Sequence, residues 1–298
     1  MIAIDWGTTN VRAYLVDEKG VIGARRSAPF GVMAARGSEL IATLDALVEG
    51  WPESESGPIM MCGMVGSRQG LLEVPYVRCP ATEADIARGV REIDLGRGRS
   101  ALICPGLICE DASGVPDVLR GEETQAIGAL ADLPLGTVSL WLPGTHSKHV
   151  RVRDGVIDGF STHMTGEVFS TLSQHSILER LMTESALDGE AFDEGVRRAA
   201  NPGGLLHHIF GVRSRALAGG LASSATRGYL SGILIGHEIL SDEPAEGGPV
   251  YVLDDGLLGE LYLRALALVG IAARQAGPDL AATGLLRLRR TIEKDVVP

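Results

Sequence analysis

A short pattern that occurs twice in the chain is the feature that most constrains its fold. A strand-like run that ends at Asp5 leads into the turn 7–10, Gly-Thr-Thr-Asn, and a second strand-like run leads into 144–147, Gly-Thr-His-Ser. Each turn is followed by a returning strand and by a further turn that contains Asp and then Gly-Val-Ile, at 17–22 and at 154–157. Internal similarity is typical of repeated structural units. The pattern predicts two similar halves, each beginning with a strand, a Gly-Thr turn and a returning strand.

The rest of the chain alternates between predicted strands and predicted helices. Residues 38–49 carry apolar residues at helical spacing behind a serine, 59–62 form an apolar strand, and 120–130 form another helix. Such alternation is typical of α/β proteins, and 298 residues are enough for two domains of ordinary size. We therefore predict an α/β fold with two domains, residues 1–134 and 135–298.

The net charge argues against nucleic acid as a partner. The formal charge at pH 7 is −11 and only 4% of the residues are aromatic, so the chain would repel a polyanion and offer few rings for base stacking. No apolar run reaches the roughly 18 residues of a membrane helix, and the first residues do not resemble an export signal. We expect a cytoplasmic protein with a small-molecule partner, no nucleic-acid or membrane partner, and a homodimer as the candidate assembly.

The cysteines and histidines predict neither a disulfide framework nor a zinc site. The cysteines are Cys62, Cys79, Cys104 and Cys109. They show no CxxC spacing and lie among apolar residues, which is typical of buried reduced thiols. The adjacent residues His207 and His208 would point to different faces of a helix or strand. We therefore expect no structural metal.

The first Gly-Thr turn has the residue types that phosphate chemistry requires. Amides and hydroxyls of Gly7, Thr8 and Thr9 can donate hydrogen bonds to phosphate oxygens, and Asp5 can orient the waters of a magnesium ion. For a single turn of this kind, a plain hairpin in which these residues cap backbone groups is the alternative. The second turn favours the phosphate interpretation, because two such turns could hold opposite sides of a triphosphate and Lys148 could add positive charge.

Other nucleotide-binding and hydrolytic motifs are absent from the sequence. It contains no GxxxxGK[ST] loop and no GxGxxG after a strand, which argues against P-loop and dinucleotide-binding folds. It contains neither a GxSxG elbow nor HExxH, so serine-triad and zinc hydrolases lack their starting residues. An enzyme that binds phosphate in two Gly-Thr turns remains.

Four segments carry a resemblance to a known family. They are 5–12, Asp-Trp-Gly-Thr-Thr-Asn-Val-Arg, 63–68, Gly-Met-Val-Gly-Ser-Arg, 120–125, Arg-Gly-Glu-Glu-Thr-Gln, and 142–148, Leu-Pro-Gly-Thr-His-Ser-Lys. In this order, over essentially the whole chain, they resemble the 2-dehydro-3-deoxygalactonokinase family of the actin, Hsp70 and sugar-kinase superfamily. The resemblance implies two duplicated ribonuclease-H-like domains with a cleft between them. It also implies transfer of the ATP γ-phosphate to the terminal hydroxyl of 2-dehydro-3-deoxy-D-galactonate, a step of galactonate degradation that gives the 6-phosphate.

The resemblance also implies roles for the residues of the two turns. Asp5 is similar to the superfamily's magnesium-orienting acid, which makes it both a metal-binding and a catalytic candidate. The implied nucleotide-binding residues are Gly7, Thr8, Thr9, Asn10, Gly144, Thr145, His146, Ser147, Lys148 and Gly256. The implied cofactors are ATP and Mg²⁺.

A carboxylate at the start of a helix is implied to accept the proton of the attacking hydroxyl. Related sugar kinases carry it shortly before the second phosphate turn, where this chain has Glu122 and Glu123. Glu123 is favoured, because the Thr-Gln-Ala that follows better matches the superfamily pattern, but a shift of one residue selects Glu122. Both could instead be acids that stabilise a helix N-terminus.

The implied substrate carries a carboxylate, which needs a cationic fork or a ring of amides. Arg68, next to Ser67, is the first candidate, and Arg12 is the rival, with a structural ion pair as its alternative role. Thr165 and Glu167 resemble family residues and could form hydrogen bonds with sugar hydroxyls.

Two departures from the family pattern leave alternatives open. Asp254 and Asp255 precede Gly256 where the superfamily usually has a small glycine-rich turn, so nucleotide preference could differ. Leu71 stands where the family often has tryptophan, so the substrate could be a close relative. A kinase for another sugar or sugar acid on the same fold is the first alternative function. A non-catalytic nucleotide-binding regulator is the second.

Overall fold

The structure is a computed structural model that describes residues 1–34, 36–54, 57–182, 187–242, 244–245 and 248–296. Up to residue 129 the elements are β1 (Ile2–Trp6), β2 (Val11–Val16), β3 (Ile22–Ala28), α1 (Ser38–Val48), β4 (Ile59–Gly63), β5 (Val77–Arg78), α2 (Glu83–Gly89), β6 (Arg91–Gly96), β7 (Arg99–Ile103), β8 (Leu107–Glu110), β9 (Pro116–Leu119) and α3 (Glu122–Ala129). From residue 137 they are β10 (Thr137–Leu142), β11 (Ser147–Arg153), β12 (Val156–His163), α4 (Thr165–His175), α5 (Gly189–Ala199), α6 (Gly204–Leu217), α7 (Thr226–Ser241), β13 (Val250–Val252), α8 (Leu257–Leu268), β14 (Ala273–Gln275) and α9 (Leu280–Val296). The chain forms two compact units, the first of Met1–Gly136, Val152–Phe160 and Gly277–Pro298, the second of Thr137–Arg151 and Ser161–Ala276.

The first unit contains a six-stranded sheet in the order β3-β2-β1-β4-β7-β6. β1 runs antiparallel to β2 and parallel to β4, so that Asp5 lies opposite Arg12 on one side and Cys62 on the other. β4 is in turn parallel to β7. The carboxyl ends of β1 and β4 therefore lie at the same edge of the sheet, the edge at which α/β proteins usually bind ligands.

Apolar side chains on this sheet form the core of the first unit. Ile4 and Trp6 of β1 are fully buried together with Leu40 and Leu44 of α1. Alternation places the β1 residues on one face of the sheet, and the spacing of four places the α1 residues on one face of the helix. The indole nitrogen of Trp6 also donates to the carbonyl oxygen of Phe30 at 3.0 Å. The core therefore fixes the end of β1, where the first Gly-Thr turn begins.

Helix α9 packs against α3 with close backbone contact. A Cβ atom added at Gly128 would lie 2.0 Å from the carbonyl oxygen of Leu280. One added at Gly284 would lie 1.9 Å from the carbonyl oxygen of Thr124. A side chain at either position would push the two helices apart, so α9 fixes the position of α3.

The second sheet has five strands in the order β12-β11-β10-β13-β14. β10 is parallel to β13, and β13 is parallel to β14. Helix α7 is buried over most of its length, and it packs so closely on α5 that a Cβ atom at Gly232 would lie 2.0 Å from the carbonyl oxygen of Phe192. Strands β10, β13 and β14 and the buried helix α7 thus belong to the second unit.

These sheets confirm the predicted α/β class. β1 and β10, the first strands of the two repeats, each have the returning strand on one side and a parallel strand on the other. The functional division into residues 1–134 and 135–298 stays a prediction; in the structure α9 belongs to the first compact unit. Within the described part of the chain, no helix combines the length and the apolar character that crossing a membrane requires.

Candidate active site

Asp5 lies at the end of β1, at the carboxyl edge of the first sheet. Its Oδ2 is 3.8 Å from Arg12 Nη1, and its Oδ1 is 3.9 Å from the Sγ of Cys62. Burial raises the pKa of Asp5 to about 6, with an opposing effect from Arg12 and a further increase from the charge of Glu122. A carboxylate whose side chain is only 15% exposed, with such long contacts to its neighbours, fits the oxygen chemistry of a hard cation.

The turn after β1 presents polar groups close to Asp5. Thr8, Thr9 and Asn10 are exposed, and the amide of Gly7 donates to the carbonyl oxygen of Asn10 at 2.9 Å, which closes the turn. A loop passes directly behind it, since a Cβ atom at Gly31 would lie 1.9 Å from the carbonyl oxygen of Thr8. The two threonine hydroxyls therefore remain accessible at a supported turn, as phosphate binding requires.

Glu122 and Glu123 open α3 in different environments. Glu123 is fully buried: the amide of Gly121 donates to its Oε2 at 2.6 Å, and the hydroxyl of Thr124 donates to its Oε1 at 2.9 Å. Burial, followed by the charge of Glu122, raises the pKa of Glu123 to about 8. Glu122 is only partly buried, and its Oε2 accepts from the backbone amide of Arg120 at 3.0 Å. Of the two carboxyl groups, Glu122 is the one that a ligand can reach.

The turn that follows β4 lies at the same edge of the sheet. Gly63 has a φ of 89°, and a Cβ atom there would lie 2.6 Å from a backbone oxygen of β1, so the turn requires glycine. Ser67 is buried, and its hydroxyl donates to the carbonyl oxygen of Met64 at 2.7 Å. The Arg68 side chain is 81% exposed, with Nε 3.5 Å from Glu73. The turn thus holds Ser67 firmly and leaves Arg68 largely in solvent.

Arg120 is a cation beside this turn that sequence reasoning did not single out as a site residue. Its Nη2 donates to the carbonyl oxygen of Val74 at 2.8 Å, and its guanidinium stacks over Tyr76 at 4.4 Å from the ring centre. A Cβ atom on Gly66 would lie 2.9 Å from its Nη1. Among the described residues, none accepts a hydrogen bond from its buried Nε and Nη1. Buried donors of this kind point to a water or ligand partner.

In the second unit, the turn after β10 packs against the first turn of α4. The amide of Glu167 donates to the carbonyl oxygen of Thr145 at 2.9 Å, and its carboxylate pairs with His146 Nε2. A Cβ atom on Gly166 would lie 2.4 Å from the carbonyl oxygen of Gly144. Thr145 and His146 are exposed. A glycine turn next to a helix N-terminus favours an anion.

Ser147 and Lys148, in contrast, are buried at the start of β11. The ammonium of Lys148 donates to the carbonyl oxygen of His146 at 3.4 Å. The hydroxyl of Ser147 shares a hydrogen bond with the hydroxyl of Tyr262 at 2.8 Å, and Tyr262 donates to Glu238 Oε2 at 2.6 Å. Ser147 therefore ties the second turn to α8 and α7.

Gly256 lies in the turn between β13 and α8. Asp254 Oδ1 accepts from the amide of Gly256 at 2.8 Å and from that of Gly259 at 3.0 Å. Asp255 is exposed. The two acids before Gly256 therefore differ: Asp254 accepts hydrogen bonds from amides at the N-terminus of α8, and Asp255 lies in solvent.

The sequence matches the family described as 2-keto-3-deoxy-galactonokinase over residues 5–288. The chain belongs to this family. A protein of Rhizobium meliloti (strain 1021) named as a probable 2-dehydro-3-deoxygalactonokinase is 38% identical over 300 residues, covering 97% of this chain and 96% of the relative. The 2-dehydro-3-deoxygalactonokinase of Escherichia coli (strain K12) is 37% identical over 241 residues, covering 80% of this chain and 79% of the relative.

Solved structures agree with membership of the 2-keto-3-deoxy-galactonokinase family. A crystal structure from Sinorhizobium meliloti, named for a 2-dehydro-3-deoxygalactonokinase protein, is 36% identical with a TM-score of 0.87 and covers 100% of this chain and 99% of that chain. The activator of a 2-hydroxyisocaproyl-CoA dehydratase from Clostridium difficile, with bound ADPNP, has a TM-score of 0.51 at 11% identity, covering 99% of this chain and 97% of that chain. The second similarity concerns the fold alone. The predicted family and the predicted actin-like ATPase and sugar-kinase fold are confirmed.

In this 2-keto-3-deoxy-galactonokinase family member, several predicted site residues come together within each unit. Asp5, Glu122 and the turn 7–10 share one sheet edge of the first unit. In the second unit, Glu167 lies against the turn 144–147. Arg12 forms a long ion pair with Asp5, with 3.8 Å between Nη1 and Oδ2, and its own side chain is 61% exposed. The roles of the individual residues stay predictions.

Proposed function

We propose that the chain transfers the γ-phosphate of ATP to the terminal hydroxyl of 2-dehydro-3-deoxy-D-galactonate. Membership of the 2-keto-3-deoxy-galactonokinase family supports the reaction class and the substrate. One structural observation carries the mechanism: two partly buried carboxylates, Glu122 and Asp5, lie close enough for the charge of Glu122 to raise the pKa of Asp5, beside an exposed Gly-Thr-Thr turn. Phosphoryl transfer needs this set of an acceptor for the hydroxyl proton, an ion-holding acid and phosphate donors.

Asp5 and the first Gly-Thr turn offer the groups that ATP and Mg²⁺ require, and the second Gly-Thr turn offers donors of the same kind in its own unit. The carboxylate of Asp5 offers an oxygen ligand, directly or through water, and its long contacts leave it available. Bound magnesium would offset negative charge on the phosphate oxygens. Thr8, Thr9 and Asn10 supply exposed donors in the first unit, and Gly144, Thr145 and His146 supply the corresponding turn in the second. Gly256 would line the nucleotide base or ribose.

We propose Glu122 as the group that accepts the proton of the attacking hydroxyl. A general base must come within hydrogen-bond distance of that hydroxyl, and both oxygens of the buried Glu123 are already occupied by Gly121 and Thr124. Glu123 then acts as a positioning residue, because its bond to Gly121 fixes the sharp entry into α3. The sequence pattern favours the opposite order, so variants of both residues decide between them.

For the substrate carboxylate, we propose Arg120 as the principal cation, supported by Ser67. Arg120 has two buried donors without a partner among the described residues, whereas Arg68 is exposed. Stacking on Tyr76 holds the guanidinium plane in place, which favours a fork-shaped contact to a carboxylate. Arg68 and Arg12 then attract the anion to the site. Contacts from Thr165 and Glu167 to sugar hydroxyls remain part of the proposal.

Release of ADP by the purified chain tests the function. The assay contains Mg²⁺ and ATP with 2-dehydro-3-deoxy-D-galactonate, its gluconate epimer, galactonate or no sugar acid. Release with the first acid alone is the expected result. Release with a different acid would keep the kinase mechanism and change the substrate, and no release with any of them would contradict the proposal.

A further inference from the structure

Three potential metal ligands lie together in the second unit, and none of them has a role in the proposed kinase reaction. They are His149 on β11, His163 at the end of β12 and Asp242 directly after α7, and their nearest ligand atoms all lie within 4.8 Å of one another. His149 Nδ1 is 3.2 Å from Asp242 Oδ2, and His163 Nε2 is 3.8 Å from the same oxygen. Around tetrahedral zinc, with bonds of about 2.0–2.1 Å, neighbouring ligand atoms are roughly 3.3 Å apart. Small side-chain adjustments would therefore place all three atoms around one ion.

The ring of His149 is already oriented as a metal ligand needs. Its Nε2 lies 2.9 Å from Glu238 Oε1, and its plane stacks on Trp141 at 3.8 Å with an angle of 1°. Glu238 is itself held, since the hydroxyl of Tyr262 donates to its other oxygen at 2.6 Å. A carboxylate behind a histidine, bonded to the nitrogen that does not bind the metal, is the usual support of a ligating imidazole. This support directs Nδ1 of His149 towards Asp242.

His163 provides an independent indication of a missing partner. Its Nε2 is buried and has no hydrogen-bond partner among the described residues, because 3.8 Å to Asp242 exceeds hydrogen-bond length. A buried polar nitrogen without a partner is unusual in a native protein. The alternative arrangement, in which a protonated His149 bridges Glu238 and Asp242, leaves this nitrogen unexplained. A bound ion explains it.

The charges in the cluster also match a divalent ion. Glu238 and Asp242 bring two negative charges, and with an ion bound both imidazoles are neutral, so the cluster as a whole becomes neutral. Two imidazoles and one carboxylate suit zinc and its neighbours in the first transition row, whereas magnesium prefers oxygen ligands throughout. The hydroxyl of Ser161 donates to Asp242 Oδ2 and helps to hold that oxygen.

We propose that His149, His163 and Asp242 bind one Zn²⁺ ion, with Glu238 orienting His149 and water completing the coordination. The ion would join β11 and β12 to the end of α7, the helix to which Ser147 of the second turn is linked through Tyr262. The ligands are far apart in sequence, which is why spacing predicts no zinc site. This proposal does not depend on the kinase proposal, because it is tested by metal binding.

The test uses the full chain, stripped of metal with a chelator and passed through a desalting column. Titration calorimetry with ZnCl₂ and metal analysis after desalting are expected to give about one zinc per chain. Cobalt(II) in place of zinc is expected to give the visible absorption of a tetrahedral site with nitrogen and oxygen ligands. Excess Mg²⁺ should not displace either ion. Wild-type chain that retains no zinc and gives no cobalt spectrum would overturn the proposal.

Two ligand variants and one control identify the residues. His163→Gln and Asp242→Asn are the ligand variants, because both side chains are partly exposed, at 21% and 22%, and these changes keep their size. Each is expected to weaken zinc binding by at least about tenfold. His175→Gln, at an exposed histidine at the end of α4, should bind zinc as the wild type does. Equal zinc affinity in the wild type and both ligand variants would show that the ion binds elsewhere and that the assignment is wrong.

Discussion

At the scale of single residues, the two acids that open α3 differ because one is buried and the other is not. Changing Glu122 to Gln removes a proton acceptor and keeps the size of the side chain. We expect kcat to fall by about 10²–10⁴-fold, the usual contribution of a general base, with little change in KM. Steady-state ADP release at saturating sugar acid measures the effect.

Glu123→Gln is the matched variant. The pKa of Glu123 is raised to about 8, so near neutral pH its carboxyl group is already largely protonated, and a glutamine resembles it. We expect kcat within about threefold of the wild type. A large loss in Glu123→Gln together with full activity in Glu122→Gln would reverse the two roles.

The raised pKa of Glu123 also predicts how stability depends on pH. The ordinary value is 4.5 and the folded value is about 8, so over this window the folded chain binds a proton that the unfolded chain releases. The contribution of this group to stability is complete below about pH 4.5 and is lost as the pH rises through about 8. The free energy of unfolding of the wild type should therefore fall relative to that of Glu123→Gln between about pH 5 and pH 9. Urea unfolding of both proteins at several pH values measures this, and a constant difference would contradict the assigned shift.

Arg120 leads to a prediction about substrate affinity. Arg120→Lys keeps the charge but loses the planar fork and the stacking on Tyr76, so we expect KM for the sugar acid to rise by about tenfold or more, with a smaller effect on KM for ATP. Arg68→Lys is the control, and it should change KM by less than about threefold because Arg68 is exposed. A larger rise in KM for Arg68→Lys than for Arg120→Lys would show that Arg68, and not Arg120, binds the substrate carboxylate.

The residues that sequence could predict are those whose chemistry is contiguous in the chain. Asp5 and the turn 7–10 form one uninterrupted segment, so the joint role proposed for them can be inferred without a fold. Arg120 and Glu238 are different, because their environment is made by residues far away in sequence, such as Tyr76 and Tyr262. The choice between Glu122 and Glu123 also depends on burial, which packing determines.

At the scale of elements, α3 depends on its contact with α9. Gly284→Ala would place a Cβ atom 1.9 Å from the carbonyl oxygen of Thr124, so the helices must separate, and we expect a loss of about 1–3 kcal/mol in the free energy of unfolding. Because α3 carries Glu122, kcat should fall as well. Urea unfolding and the ADP assay measure the two effects.

Gly211→Ala is the matched control for this helical glycine. Gly211 lies in α6, and nothing lies within 4 Å of the Cβ atom that alanine would add. Alanine in a helix interior is more favourable than glycine by about 0.5–1 kcal/mol, so the control should be as stable as the wild type or more so. Equal stability in the Gly284 and Gly211 variants would show that α9 and α3 can separate without cost.

This contact marks a limit of sequence-based prediction at the scale of elements. The apolar spacing in 278–294 predicts a helix, and α9 is observed at Leu280–Val296. The pattern does not identify the partner of that helix, because Gly128 and Gly284 are glycines that only their neighbours make necessary.

At the scale of the whole molecule, ligand binding should stabilise the chain in a way that depends on Asp5. A ligand that binds only the folded state raises the melting temperature, and magnesium should increase the effect of ADP if Asp5 helps to hold the ion. We expect Mg²⁺ with ADP to raise Tm more than ADP with a chelator in the wild type, and we expect Asp5→Asn to lose this difference. Thermal unfolding followed by circular dichroism measures it. Asp132→Asn is the control, because Asp132 is exposed, and it should keep the difference in Tm between Mg²⁺ with ADP and ADP with a chelator. If Asp5→Asn also kept this difference, the proposed role of Asp5 would be contradicted.

Helix α9 belongs to the first unit although it is far from the rest of that unit in sequence, and this affects folding during synthesis on the ribosome. Residues 277–298 belong to the same compact unit as the first 136 residues, so the unit whose synthesis begins first cannot be completed until α9 has left the exit tunnel. Residues 161–276 leave earlier, and the second unit can be complete while the first still lacks the helix that holds α3. The second unit can therefore complete its fold before the first, although synthesis of the first unit begins earlier. The incomplete first unit is the part of the nascent chain that a chaperone would have most time to bind.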